Sequence, residues 1–475
     1  QAHPPARSAL CTTTRHGPLI LVLSTRNVMN PDNHGRPTSA QMLNILPVVG
    51  LGTNRISTDY SSGRGGWGHL SRTRIIAFLV FFSFFPYVGF FRGIDVQPFF
   101  VLPVAAAVLL VKNRRWPAFL NVIIISYIPI MAYLAVSIIF GGEGYFGFVL
   151  SYVLCFFVIV LFCILHASVK IDMPRIAGLV AIIYVLVAFI QMYLDPYFLA
   201  GMKSRSVDMV GLLIDSGRGV SSLASEPSKF SKVLLYCNIF FYMGSVLFGN
   251  GETDSKIYRL RLIFISVSLL FLNVWLSRSL HYCTIHFMLV LFIVFGLSRL
   301  ASIFAFAAFA FLLAFMVENR EHLDAFGRLG ELLESFLVDP RSIAEQGAFR
   351  RLANPLLSVI VFFDNPLGVG SALQEGRMYY LRIGEFEYPF FFVSRILGGI
   401  VEFLIKFGFF SFLFIFSFVY VFFKTAIAEW KKTHALVAVP FVLISAFFDG
   451  SVVDPYAWSS IFYIYFRMND GVKYG

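Results

Sequence analysis

Long, uninterrupted runs of apolar residues constrain this chain more than any other feature of its sequence. From about residue 74 the chain breaks into apolar stretches of about 16 to 26 residues, the length that an α-helix needs to cross a bilayer. Because 58% of the residues are hydrophobic and only 14% are charged, an ordinary soluble globule is excluded. We therefore predict an all-α, polytopic integral membrane protein.

The apolar stretches predict about twelve transmembrane helices. Lysine and arginine concentrate in alternate short connections, such as the KNRR at 112–115, so the positive-inside rule predicts that this side is cytoplasmic, with both termini inside. The opposite side then carries the connections after every odd-numbered span, including GGEG at 141–144 and DGSVVDP at 449–455. The predicted spans are 75–91, 96–111, 117–140, 146–168, 175–199, 230–248, 259–277, 280–297, 300–317, 396–424, 434–448 and 452–467.

Two regions lie outside this pattern of spans. Residues 1–70 are polar and basic, and we predict a disordered or non-native tail, to which we assign no function. Within the transmembrane helical domain, 71–475, the segment 318–395 is predicted to be a long outer loop that contains short helices. One of these, at 322–337, has the apolar spacing of a helix that lies on a membrane surface.

Charge and cysteine content exclude several classes of function. The net charge of +11 would suit nucleic-acid binding in a soluble protein, but here much of it flanks apolar spans, as topology signals and contacts with anionic lipids require. Four of the five cysteines lie inside apolar segments and none has the spacing of a zinc site or a disulfide framework. We predict no nucleic-acid partner, no metal and no cofactor.

The stretch GRGVSSLASEPSKFS at 217–231 is the first of two basic regions on the predicted outer side. Pro227, preceded by Ser225 and Glu226, is typical of a helix N-terminus, whose free N–H groups attract anions. With Arg218 and neighbouring lysines, this loop would suit a phosphate group. A helix cap with side chains that snorkel to the interface explains the same residues without a ligand.

A short connection, LSRSLHY at 276–282, contains Arg278 and His281. An unpaired guanidinium beside the membrane is costly, which favours a functional role for Arg278. His281 is either a proton carrier or a structural side chain at the interface. The long outer loop adds Arg350, Arg351 and Arg395, so arginines from separate segments are predicted to face one surface. The planar guanidinium group of arginine can form two hydrogen bonds at once to an oxygen-rich anion such as a diphosphate.

The GVG at 368–370 lacks the spacing of a dinucleotide site and predicts a tight turn.

The layout from about 75 to 467 resembles the superfamily of O-antigen polymerases and O-antigen ligases. GRGVSSLASEPS is similar to that superfamily's Arg and Ser-Glu-Pro-Ser element ahead of a span, and LSRS is similar to its short Ser-Arg element. DNPLGVG is similar to its Asn-Pro-x-Gly-x-Gly turn, and SRILGGIVEFLIKFGFF to the small apolar helix after its long loop.

This resemblance implies a glycosyltransferase of the bacterial inner membrane. The enzyme would transfer a glycan from undecaprenyl diphosphate to the hydroxyl of another lipid-linked repeat at the periplasmic face, without a metal. Ligases of the superfamily have a histidine before the small helix, whereas this chain has FFFVSR, which favours a polymerase of O-antigen or exopolysaccharide repeats. A chain-length regulator is a candidate partner. The resemblance assigns Arg218 and Arg278 first to the diphosphate, with Arg350, Arg351 and Arg395 beside them.

The catalytic base is expected to be Glu226 or His281, with Glu226 favoured because it lies in the matched motif. Direct attack by the acceptor hydroxyl from the face opposite the leaving group would invert the anomeric centre.

Three alternative functions remain. The first is a ligase to lipid A core, and the second is a polyprenyl-phosphate-sugar transferase, which would need a larger acidic first outer loop. The third is a transporter or flippase of lipid-linked glycans, which would need ionisable groups in mid-membrane, whereas the predicted span centres are nearly uncharged.

Overall fold

The computed structural model describes residues 66–89, 96–140, 145–203, 219–248, 256–297, 361–370, 378–383, 386–391, 400–429, 442 and 453–469. The described part is mostly helical. In chain order its longer helices are α1 (Gly66–Ser83), α2 (Val101–Leu110), α3 (Ala118–Phe140), α4 (Tyr145–Ser168), α5 (Met173–Tyr193), α6 (Pro227–Phe248), α7 (Lys256–Leu272), α8 (Leu280–Leu297), α9 (Ile400–Phe407), α10 (Phe409–Glu429) and α11 (Pro455–Asn469).

Among the described residues, four helical stretches are long and apolar enough to cross a membrane: Ala118–Ile139, Gly147–Ser168, Met173–Tyr193 and Leu260–Ser277. Large apolar side chains cover the outside of the bundle, as with Leu109, Ile139 and Phe264, each about two-thirds exposed or more. Such a surface is unfavourable in water and suits lipid. The prediction of a mostly helical chain with helices able to cross a membrane is therefore confirmed. The predicted spans 300–317 and 434–448 lie outside the described residues, apart from Val442.

Local sequence signals explain where several helices begin and end. Helix α1 ends at Ser83, well before the predicted boundary at residue 91, because Pro86 follows and the residue before a proline disfavours helical geometry. Helix α5 begins after Asp172, whose side chain accepts a hydrogen bond from the backbone N–H of Arg175. Helix α6 begins at Pro227, as predicted from the Ser-Glu-Pro sequence.

Backbone and side-chain contacts define two ends of the bundle. The basic end consists of residues 112–117 and 169–172, where the backbone N–H of Arg115 donates to the hydroxyl of Ser168 at the end of α4. The loop end consists of residues 84–89, 198–203 and 219–226, where the N–H of Gly89 donates to the carbonyl of Met202. Helices α2 and α5 each run from one of these ends to the other.

Helix α6 is the central element of the described bundle. It packs against α5, α7, α8 and α11, and nearly all of its side chains from Phe230 to Phe240 are fully buried. Because α6 is surrounded by protein, polar groups on it need partners inside the bundle.

The predicted outer loop contains a β-hairpin. Strand β1 (Met378–Ile383) pairs with β2 (Phe386–Phe391) in antiparallel register, with Met378 opposite Phe391. We predicted only short helices in this loop, and that was incomplete. The two strands are rich in tyrosine and phenylalanine and are separated by two residues that include Gly384, a composition that favours a hairpin. The surface helix predicted at 322–337 lies outside the described residues.

The predicted span 396–424 is not one helix. Helix α9 ends at Phe407, Gly408 adopts a positive φ of 52°, and α10 starts at Phe409. The break accommodates the turn at 365–370, since the N–H of Phe409 donates to the carbonyl of Pro366 and the N–H of Gly370 donates to that of Lys406. A tight turn is closed by the bond from the N–H of Gly368 to the carbonyl of Asn365, so it lies just before the predicted turn at GVG, in which Gly368 and Gly370 have positive φ.

Candidate functional site

The serine-rich loop docks against the end of α7. Helix α7 continues as a π-helical segment, Asn273–Ser277, whose Leu276 carbonyl accepts a hydrogen bond of 2.9 Å from the N–H of Val220. Gly219 has a φ of 78°, and a Cβ at this position would lie 2.6 Å from the Leu276 oxygen and 2.8 Å from that of Ser277. Gly219 is therefore required both by its backbone conformation and by the closeness of the two segments.

This contact brings together the neighbours of two predicted site residues. Gly219 directly follows Arg218, and Ser277 directly precedes Arg278. Arg278 is partly buried and has a positive φ of 49°, an uncommon conformation for a residue with a side chain and one that is often found at functional sites. Arg218 itself lies outside the described residues, as do Arg350, Arg351 and Arg395, so their predicted convergence with Arg278 is not tested.

Ser222 fixes the loop to α5. Its φ is 54°, its hydroxyl donates to the carbonyl of Tyr184, and its own carbonyl accepts a 3.1 Å bond from the side-chain amide of Gln191. The same amide also donates to Phe198, at 2.8 Å. These buried bonds hold the loop in one conformation, because breaking any of them would leave a polar group unsatisfied.

Lysines of this region are buried rather than spread over the surface. Lys203, Lys229 and Lys232 are each at most 3% exposed. Lys203 follows the short helical turn Ala200–Met202, forms a backbone bridge with Val88, and donates from Nζ to the Ser221 hydroxyl at 2.6 Å. Burial lowers the pKa of Lys203 to about 7, because the charged ammonium loses its hydration.

Lys232 forms a buried ion pair across the bundle. Its Nζ lies 2.7 Å from Oδ2 of Asp454, and both side chains are 1% exposed. Asp454 also accepts a 2.9 Å bond from the N–H of Tyr456, which caps the start of α11. Asp454 was not among the predicted site residues. The sequence Asp-Pro at 454–455 is typical of a helix start and so indicates the cap, but nothing in the sequence indicates the ion pair.

The two candidate bases occupy helix starts. Glu226 precedes Pro227 and its carbonyl accepts from the N–H groups of Lys229 and Phe230, so it is the residue that caps α6; its side chain is partly buried. His281 lies in the first turn of α8, also partly buried, with its ring edge-on to Tyr282 at 5.0 Å between centroids. Both residues stay candidates.

A polar network lies inside the bundle behind Arg278. His286 contacts the amide of Asn238 at 2.8 Å through Nε2 and that of Asn273 at 3.0 Å through Nδ1. Ser266 donates to Asn238, and Ser277 donates to Asn273. All five side chains are fully buried. The network links α6, α7 and α8 to the residue immediately before Arg278, and a histidine inside an apolar run was the sequence signal that could have indicated it.

A second charged cluster involves α9. Glu402 accepts a 3.0 Å hydrogen bond from Tyr152 and pairs with Lys406 at 2.7 Å. The Lys406 ammonium lies over the rings of Phe148 and Tyr152, at 5.3 and 5.6 Å from the centroids. These groups satisfy each other, and the cluster ties α9 to α4.

In the described ranges, no three histidine, cysteine, aspartate or glutamate side chains are grouped so that they could hold a metal ion. The described site instead offers lysines, one arginine, serine hydroxyls and the N-terminus of α6, all of which suit anions. Compared with known proteins, the chain matches no family model and no curated protein.

Proposed function

We propose that this chain is a polysaccharide polymerase of the bacterial inner membrane. It has about twelve transmembrane helices, with the loop end facing the periplasm. Its donor is a glycan linked to undecaprenyl diphosphate, and its acceptor is a hydroxyl of another lipid-linked repeat. The observation that carries this proposal is the docking of Gly219 against Leu276 and Ser277, because the residues next to these are Arg218 and Arg278.

Two arginines held at one place would bind the diphosphate and stabilise the negative charge that develops on it. The rigid backbone supports this role: the serine-rich loop is tied to α5 through Ser222, and the π-helical segment is tied to α6 and α8 through Asn273. Groups that are fixed before the substrate arrives need little reorganisation in the transition state.

In the reaction, the acceptor oxygen attacks the anomeric carbon of the donor sugar. The bond from that carbon to the phosphate oxygen breaks, its electron pair leaves with undecaprenyl diphosphate, and the acceptor proton passes to a base. Glu226 is favoured as the base because it lies in the Ser-Glu-Pro-Ser motif that resembles the superfamily's, with His281 as the alternative. A single displacement of this kind inverts the anomeric centre.

A transporter or flippase of lipid-linked glycans is the second candidate. The buried Lys232 and Asp454 pair and the polar network around His286 favour it, since intramembrane polar groups commonly line transport paths. Their mutual hydrogen bonding also fits a purely structural role in a polymerase.

The deciding experiment uses the purified full-length chain in vesicles with a lipid-linked repeat as the sole substrate. A ladder of extended products supports the polymerase. Movement of the repeat across the bilayer without new glycosidic bonds supports the transporter, and transfer only when lipid A core is added supports a ligase. Absence of all three reactions would contradict the proposal.

A further inference from the structure

Near the start of α6, two buried polar groups have fewer partners among the described residues than their chemistry requires. The Lys203 ammonium has three donor positions, and within the described residues its one side-chain hydrogen bond is that to Ser221. The hydroxyl of Ser225, which is fully buried, makes no hydrogen bond in the described part of the chain. Neither residue has an ion pair there to offset its burial.

Both groups belong to one local unit. The N–H of Ala224 donates to the carbonyl of Ser221, which closes a turn between the partner of Lys203 and Ser225. Helix α6 begins two residues after Ser225 and runs for 22 residues, so its dipole places a partial positive charge beside that turn. Pro227 has no N–H and those of Lys229 and Phe230 donate to the Glu226 carbonyl, so the N–H of Ser228 is the donor that the first turn offers. A buried cation, a hydroxyl donor and a helix N-terminus in one unit have the chemistry of an anion site.

We propose that Lys203, Ser225 and the first turn of α6 form a binding site for a phosphate group. The ammonium supplies charge, the Ser225 hydroxyl and the N–H of Ser228 supply directed hydrogen bonds, and the phosphate removes the energetic penalty of the uncompensated lysine. The phosphate comes either from the diphosphate of the lipid donor, in which case the inference deepens the proposed function, or from free phosphate.

The test measures binding of inorganic phosphate to the full-length protein in nanodiscs of zwitterionic lipid. Lys203→Met keeps an apolar side chain of similar length, and we expect it to weaken phosphate binding about tenfold or more, as loss of a charge-assisted hydrogen bond does. Ser225→Ala should weaken binding by a smaller factor. Lys170→Met is the control, because Lys170 is exposed at the basic end, and phosphate affinity should not change.

The source of the phosphate is separated by competition with undecaprenyl diphosphate. Displacement of inorganic phosphate by this lipid assigns the site to the donor. Phosphate binding that depends on Lys203 but is not displaced supports the anion site and separates it from the proposed reaction, so the two proposals can fail independently. Absence of binding for both ligands, or wild-type affinity in both Lys203→Met and Ser225→Ala, would overturn the inference. If Lys203→Met does not fold, the single variants Ser225→Ala and Lys203→Arg are used to test whether phosphate binds at this site.

Discussion

Lys232 Nζ lies 2.7 Å from Asp454 Oδ2, and the pair is almost completely buried between α6 and α11. Removal of one partner leaves an uncompensated charge inside the bundle. We therefore expect Lys232→Met or Asp454→Asn to lower the free energy of unfolding by about 3–5 kcal/mol. The double variant Lys232→Met/Asp454→Asn, which removes both charges and keeps an acceptor for the N–H of Tyr456, should recover much of this loss.

Thermal unfolding of the detergent-solubilised protein measures this effect. The control is Arg175→Met, which breaks the exposed pair of Arg175 with Asp172 and should cost less than about 1 kcal/mol. Equal stability of the wild type and Lys232→Met would contradict the expected cost.

Gly219 tests whether the docking of the serine-rich loop matters for function. In Gly219→Ala the added Cβ would meet two carbonyl oxygens, and the positive φ alone costs about 1–2 kcal/mol for a residue with a side chain. We expect chain extension to be lost while the protein still inserts into the membrane. Gly201→Ala is the matched control, because a Cβ at Gly201 meets no atom within 4 Å. Wild-type extension by Gly219→Ala would show that the close contact is not needed.

The network around His286 should be required for a stable bundle. His286→Leu leaves the amides of Asn238 and Asn273 without one of their partners, and each unsatisfied buried group costs about 1–3 kcal/mol. His286→Gln can retain some of the hydrogen bonds and should be less destabilised. Unfolding midpoints of both variants in detergent measure the difference, and a His286→Leu protein as stable as the wild type would exclude this role.

Binding of an anion at Lys203 should depend on pH. Because burial lowers the pKa of Lys203 to about 7, the lysine is charged below that pH and loses its proton above it. Sulfate is the useful probe, since its own charge is constant in this range, and its affinity should fall as pH rises through about 7.

Other ionisable groups near the loop end need to be separated from this effect. Glu226 caps α6, Lys229 lies in its first turn, Arg278 follows the π-helical segment, and His281 lies in the first turn of α8. His281→Gln should therefore keep the pH dependence of sulfate binding, whereas Lys203→Arg should abolish it. An affinity that stays constant between about pH 6 and pH 8.5 in the wild type would rule out Lys203 as the titrating group.

The sequence predicts the long helices well where an apolar run is continuous. The predicted span 117–140 corresponds to α3 and the predicted span 146–168 to α4, each within a residue. Helix α6 was placed correctly at its start because Pro227 is a strong local signal. Hydrophobicity alone could not predict the break at Gly408, which depends on a turn that comes from residues 365–370.

Parts of the site depend on contacts between distant segments and could not be read from the sequence. The sequence indicates the basic loop, but it favours the arginines over the lysines as ligands of a phosphate group. It does not indicate that Lys203 and Lys232 are buried. Pairing of Lys232 with Asp454 requires α6 and α11 to be neighbours, which no local pattern indicates. Glu226 and Arg278 were identified from short motifs, and the structure places both at backbone positions where a helix begins or ends.

The most direct measurement of the central claim is the affinity of the purified protein for undecaprenyl diphosphate. We expect Arg218→Ala and Arg278→Ala each to weaken binding about tenfold or more, and the double variant to be little weaker than the worse single variant, because both arginines bind the same group. Arg261→Ala, at an exposed arginine on α7, should bind like the wild type. Wild-type affinity in both Arg218→Ala and Arg278→Ala would contradict the existence of a shared diphosphate site.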